Sequence, residues 1–329
     1  MAQIGSTYLT LADRLKQTEN GEIAATIIEL LAETSAILED ANAMECNDGT
    51  SHLTTIGTAL PTASFRAMYG YVDPSKSTTA QVRDNTAMLE AYSIVDVDLV
   101  DKAPNASQFR LNEARAFLEA MNQTIQDKIF YGNTATAPKE FDGLSPRYGV
   151  KSTSKTNIGL NIVDAGGTST DNTSVWFVTW GDLHTSLIYP KGSQAGIKHT
   201  DDGIQTETDS SGGKRKVYQD HFKWDVGMSV RDWRSTVRIA NIDVSDLAAK
   251  NVLLEDYMID AYYKIKKFMK TGKTVCYANA EVLTGLHKRA KDKASNLTIN
   301  EIAGQEIVSF LGIPIREAEQ ILNTEARVV

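Results

Sequence analysis

Cysteine is almost missing from this sequence. Cys46 and Cys276 are its two cysteines, lie far apart, and give no disulfide framework. Long apolar runs are missing too. No window of 18 or more apolar residues occurs, so no membrane-spanning helix is expected. The opening MAQIGSTYLTLADRLKQ has no basic stretch followed by an apolar core, so no signal peptide is expected either. A soluble protein made in a reducing cytosol fits these absences. Positive charge is in deficit: 34 Lys and Arg face 42 Asp and Glu, for a net charge of −8. A protein that reads nucleic acid through its phosphates carries a basic surplus or stripe. Here the cations are dispersed, apart from short clusters at Lys214-Arg215-Lys216 and Lys264 to Lys270.

Recognisable catalytic constellations are lacking as well. Gly272-Lys273-Thr274 ends like a phosphate loop, but position 267 is lysine where that loop needs glycine. The order helix, GKT, strand is also reversed. A glycine helix stop explains the run. The histidines are His52, His184, His199, His221 and His287. His199 with Asp201 and Asp202 could ligate a metal, yet no H-x-x-x-H or C-x-x-C spacing supports a site. Neither cysteine has a neighbouring histidine or basic helix start to activate it. AGGTSTD, residues 165 to 171, lacks the flanks of a nucleophile elbow. Asp96 and Asp98, read on one face of a strand, form a solvated face rather than a catalytic pair. No catalytic, cofactor-binding or metal residue and no cofactor are expected, and the chain is not expected to be an enzyme.

What is present is an irregular mixture of helix and strand, which predicts an α+β fold rather than a βαβ repeat. Residues 8 to 46 read as a broken helical arm with Ile23, Ile27, Ile28, Leu31, Ile37 and Leu38 at helical spacing. A long hairpin follows from about 52 to 103. Phe65, Ala67, Tyr69 and Tyr71 alternate on its rising strand, Asp73 to Thr78 turn the chain, and Val95 to Leu99 alternate on its return. In NASQFRLNEARAFLEAMNQTIQDKIFYGN, the residues Ala114, Phe117, Leu118, Met121, Ile125 and Ile129 trace one apolar stripe. That predicts a helix over 107–131, capped by Asn105 or Ser107 and stopped by Gly132. VWFVTW (175–180) predicts a buried strand, and 190–216 a mobile surface loop. Period-two alternation from Phe222 predicts a second hairpin over 217–245, turning at Arg231-Asp232. A helix over 246–270, a strand at 274–278, Asn279 as a cap, a helix at 280–290 and a strand over 306–317 complete the pattern.

The arm and the hairpin carry apolar side chains with no evident partner in the chain. Two strands alone are marginal in water. Burying such surface is favourable by roughly 25 cal/mol per Å², so both elements are expected to lie on neighbouring subunits of a symmetric assembly.

The run EARAFLEAMNQTIQDKIFYGNTATAPKEFDGLSPRYG (113–149) resembles tailed-bacteriophage major capsid proteins: a spine helix ending at FYGN, then a loop to FDGL. VGMSVRDWRSTVRIANID (226–243) and GIPIREAEQILNTEA (312–326) are similar to the same group. The resemblance spans nearly the whole chain. It implies the Hong Kong 97-like capsid fold, with an N-terminal arm at 1–50 and an extended loop at 51–104. A mainly peripheral domain would cover 105–245 and a mainly axial domain 246–329. It further implies self-assembly into pentamers and hexamers of an icosahedral shell around double-stranded DNA, without sequence-specific binding. Implied too are a separate scaffolding protein, a portal, decoration proteins, assembly in the bacterial cytoplasm, and location in the virion. Some relatives join a lysine near this loop to an asparagine of another subunit. Lys76 lies at the tip here, with no motif for its partner. A nanocompartment shell of the same fold, a soluble α+β enzyme, and a small oligomeric binding protein are the other readings.

Overall fold

The computed structural model describes residues 36–103, 105–208, 211–292, 297–302 and 305–329, together with Thr18–Glu19 and Ile23–Ala24. In chain order the elements are β1 (Thr18–Glu19), β2 (Ile23–Ala24), α1 (Ala36–Asp40), β3 (Ala43–Glu45), β4 (Ser51–Ala59), β5 (Thr78–Asp96), α2 (Val97–Asp101), α3 (Ala106–Tyr131) and α4 (Leu144–Arg147). They continue as β6 (Ile162–Asp164), β7 (Asn172–Trp180), β8 (Thr185–Tyr189), β9 (Ile197–Thr208), β10 (Lys214–Val230), β11 (Thr236–Asp243), α5 (Val244–Ala248) and α6 (Leu254–Ile265). The last are β12 (Lys273–Ala278), α7 (Ala280–Asp292), β13 (Leu297–Ile302), β14 (Gln305–Phe310) and β15 (Ile313–Glu317). Of the expected arm helix, α1 is present, whereas Ile23 belongs to a short antiparallel pair, β1–β2. Residues 8–17, 20–22 and 25–35 of that arm lie outside the described residues.

The chain divides into two compact units. One comprises residues 1–33, 88–125 and 196–225; the other comprises 34–87, 126–195 and 226–329. In the first, Val95, Leu99, Val100 and Phe109 form a small core, with Ala103 and Tyr218 against it. In the second, β7 is buried along its whole length, as VWFVTW predicts. It pairs antiparallel with β11 on one side and β12 on the other. β12 continues in parallel to β15, and β14 and β13 follow antiparallel. Helix α6 lays Leu254, Met258, Ala261 and Ile265 onto Phe177, Val237 and Ile239 of this sheet, all in one buried cluster. Apolar periodicity of 3.6 on the helix and a continuous apolar strand beneath are what such burial requires.

Helix α3 matches its sequence pattern. The Asn105 side chain accepts from Gln108 N–H at 3.2 Å, and Met121, Ile125 and Ile129 are buried. Gly132 ends the helix where nothing larger fits: a Cβ there would stand 2.4 Å from Phe141 O and 2.6 Å from Lys128 O.

Six expectations need correction. The rising strand of the first hairpin is β4, not Phe65 to Tyr71. Tyr69 has φ +64°, and Gly70 N–H closes a turn onto Ala67 O at 3.0 Å, so no strand passes through. Val95 to Leu99 is not a strand. Asp96 ends β5 and its carboxylate caps α2 by accepting from Asp98 N–H at 2.9 Å, so the two aspartates share no strand face. Residues 190–216 are not a loop throughout: β9 pairs with β10 from Ile197↔Trp224 to Thr208↔Lys214. β9 is polar because most of its residues stay exposed, whereas β10 buries Val217 and Phe222. β10 and β11 form no hairpin. Asp232 caps a short turn at Trp233–Ser235, and β11 joins β7 instead. The 246–270 helix is two helices, since Lys250 at φ +65° follows α5. Finally, 306–317 is β14 and β15 joined at Leu311-Gly312, whose φ values of +49° and +84° make a two-residue hairpin turn.

Candidate assembly surface

The β4–β5 hairpin is fastened at its base and bare at its tip. Its ladder runs from Ser51↔Asn85 to Ala59↔Thr78. At the base, the Asn47 side chain is bound twice to Leu53, accepting from N–H and donating to O, both at 2.8 Å. Thr86 donates its N–H and its hydroxyl to Thr50 O at 3.0 and 2.8 Å. Arg147 of α4 reaches Asp84 at 2.8 Å, with side chains 16% and 3% exposed. The same guanidinium donates to Asp142 O and Met228 O. Gly227 lets the strands approach, since a Cβ there would lie 2.5 Å from Asn85 O. His52, opposite Asp84 in the ladder, is buried, and neither ring nitrogen has a partner among the described residues. Burial and the Arg231 charge hold its pKa below the ordinary histidine range, against the pull of Asp84.

Beyond the ladder, residues 60–77 form no strand, and Ser75 Oγ ties their two sides together by bonding Thr62 N–H and O. Leu60, Phe65, Met68, Tyr69 and Tyr71 are all more than nine-tenths exposed. Isolated exposed apolar residues are ordinary, but a contiguous group on one protrusion marks an interaction surface. The aromatic spacing in the sequence pointed to this group. The anchors Arg147–Asp84, distant in sequence, and Asn47–Leu53, six residues apart, leave no periodic trace.

The residues weighed for chemistry are not brought together into a site. His199 bonds Asp220 Oδ1 at 2.9 Å and stacks on Phe222, and Arg110 ties Asp220 to Asp201. Asp202 accepts from Gln219, and His221 stacks on Tyr92. His184 pairs with Thr271, and His287 is exposed. Both cysteines are buried free thiols, and burial raises Cys46 to about 11 and Cys276 still further. Gly272 lies where a Cβ would meet Trp180 O at 2.6 Å, so the GKT run is a close strand crossing. Lys76 is exposed on the tip.

Residues 18–329 match the family model described as major capsid protein GP7. The chain belongs to that family. A chain of the cryo-EM structure of bacteriophage Epsilon15 is similar to this capsid protein at 36% identity. The TM-score is 0.79, with 100% of this chain and 99% of that chain covered. The capsid of a native GTA particle covers 71% of this chain and 99% of its own at 9% identity and TM-score 0.47. The SrpI encapsulin of Synechococcus elongatus covers 71% and 95% at 9% identity and TM-score 0.44. No curated protein matches the chain. The fold is the Hong Kong 97-like capsid fold, and the capsid protein is a structural subunit of a bacteriophage's icosahedral shell.

Two buried networks hold the capsid protein's outer segments to its sheet. Asp40, at the end of α1, accepts from Tyr277 OH at 3.0 Å and pairs with Lys273 at 2.6 Å and Arg316 at 3.1 Å. Near the C-terminus, Glu325 pairs with Arg238 at 2.9 Å, both side chains 3% exposed, and accepts from Tyr131 OH at 2.5 Å and from Ser174. Arg238 also donates to Tyr148 O at 2.8 Å and lies 4.9 Å from the Trp176 ring. Asn241 pairs with both backbone groups of Val328 at 2.8 Å. Burial and the Glu325 charge push the Tyr131 hydroxyl far above the ordinary tyrosine range, so it stays a donor.

Proposed function

We propose that the capsid protein assembles through the bare tip of its hairpin, which lies against neighbouring copies in pentamers and hexamers of the shell. The exposed cluster Leu60, Phe65, Met68, Tyr69 and Tyr71 carries this reading. It has no cover among the described residues, while the hairpin's base is held by polar contacts, of which the Arg147–Asp84 pair is buried. In this reading residues 1–50 are the N-terminal arm and 51–104 the extended loop. Residues 105–245 are mainly the peripheral domain and 246–329 mainly the axial domain. Because β12 pairs with β7, the boundary near 245 is one of chain order more than of packing.

The shell assembles in the bacterial cytoplasm, encloses double-stranded DNA, and needs no catalytic site, cofactor or metal. A separate scaffolding protein, a portal and decoration proteins are its partners. Electron micrographs of the capsid protein, made with its neighbouring genes, test this. Closed icosahedral shells or capsomer rings support the reading, and a monomer or dimer under every condition contradicts it.

A further inference from the structure

Two cations converge on one buried ring just past α6. The Arg234 guanidinium lies 5.8 Å from the Phe268 ring centroid and the Lys267 ammonium 4.7 Å from it. One residue earlier, the Lys266 ammonium lies 5.7 Å from the Tyr262 ring and 5.3 Å from the Tyr263 ring. Lys266, Lys267 and Lys270 are exposed, as is Tyr263 at 67%. Their neighbours in the same basic run are already engaged: Lys264 donates to Leu160 O at 2.6 Å, and Lys273 pairs with Asp40. Among the described residues, no carboxylate pairs with Lys266, Lys267 or Lys270.

The helix macrodipole accounts for Lys266, the C-cap of α6, but its influence fades within the last turn, and Lys267 and Lys270 lie beyond the helix end. Aromatic faces attract cations without neutralising them. A chain of net charge −8 therefore carries three exposed lysines on the short surface segment 266–270, with no carboxylate partner among the described residues.

We propose that this face holds the phosphodiester backbone of double-stranded DNA without reading its bases, and so faces the interior of the shell. The proposal rests on the reading that the shell encloses DNA. Lysines act as flexible point charges, suited to phosphates whose position varies. Arginine forks grip carboxylate and phosphate alike, but the one arginine here is committed to Asp232 through two bonds of 2.8 Å, so the lysines carry the contact. A few weak contacts per subunit, repeated over a shell, add by multivalency. The genome is held and still released when salt or packing changes.

The test is a salt titration of purified subunits binding a short random-sequence duplex. The variant K266Q/K267Q/K270Q is compared with K198Q/K214Q/K216Q, which removes the same charge from the exposed β9–β10 hairpin. The first is expected to lower the slope of log K against log salt by about 2.7, or roughly 0.9 per lost phosphate contact, and the second to change it little. K266R/K267R/K270R is expected to restore the slope, which guards against a folding defect. Equal losses in both glutamine variants, or an unchanged slope in the first, overturn the proposal. So does binding to polyglutamate without binding to the duplex, which assigns the face to an acidic protein. Micrographs of wild-type and variant shells are scored separately, so loss of DNA contact is distinguished from failure of the shell reading itself.

Discussion

Arg147 and Asp84 meet at 2.8 Å beneath the hairpin, with Asp84 almost wholly buried. They lie on a short helix and on the hairpin's return strand, so this pair ties the base of the hairpin to the α4 segment. Replacing Arg147 by leucine strands a buried carboxylate. Breaking such a pair costs about 3–5 kcal/mol. R147L should lower the melting temperature and raise amide exchange at Leu53 and Thr86. Unchanged exchange there would show that the pair does not hold the base.

Arg238 and Glu325 set the C-terminal tail in the same way. R238M leaves Glu325 buried without its cation and should also cost about 3–5 kcal/mol. Hydrogen exchange should rise first at Glu325 and Val328, whose N–H groups are bonded to Asn172 O and to the Asn241 side chain. A uniform rise across the protein would count against a local latch.

How legible was this in the sequence? Helix α3 and strand β7 were plain, because each repeats one apolar signal over its full length. The exposed aromatics of the tip were visible as well, although not as a turn: Phe65, Tyr69 and Tyr71 mimic a strand, and the left-handed backbone of Tyr69 with the Gly70–Ala67 turn shows otherwise. Strand β9 was hidden because an exposed antiparallel strand needs no apolar face, and HTDDG reads as a loop. Asp96 read as a strand residue because a cap and a strand position demand the same polar side chain. Arg147–Asp84 and Arg238–Glu325 depend on three-dimensional proximity of residues far apart in the chain. Nothing local announces them.

Gly132 offers a sharper test of a backbone constraint. G132A places a Cβ 2.4 Å from Phe141 O and 2.6 Å from Lys128 O, both main-chain atoms. Overpacking of this kind costs about 1–3 kcal/mol, so the variant should melt several degrees lower. Equal melting would mean that the 132–143 turn moves freely.

His52 gives the pH dependence its sign. Its folded pKa is depressed below 6.5, so the unfolded chain takes up the proton first as pH falls. The stability that neutral, buried His52 contributes is therefore complete above about pH 6.5 and is lost progressively below it. The fall in melting temperature from pH 7.5 to 5.5 should shrink in H52L. His184, also depressed chiefly by burial, keeps its own share. An identical fall in H52L and wild type would remove His52 from the account.

The central claim is that the bare tip joins subunits and does nothing for the fold of one subunit. Residues 60–77 can be replaced by Asn-Gly, since Ala59 and Thr78 are ladder partners and a two-residue turn can join them. Electron microscopy of this variant, with its melting curve alongside, measures both halves of the claim. The expected result is a wild-type melting temperature and no closed shells. Shells of normal size and shape from the tipless protein would contradict it.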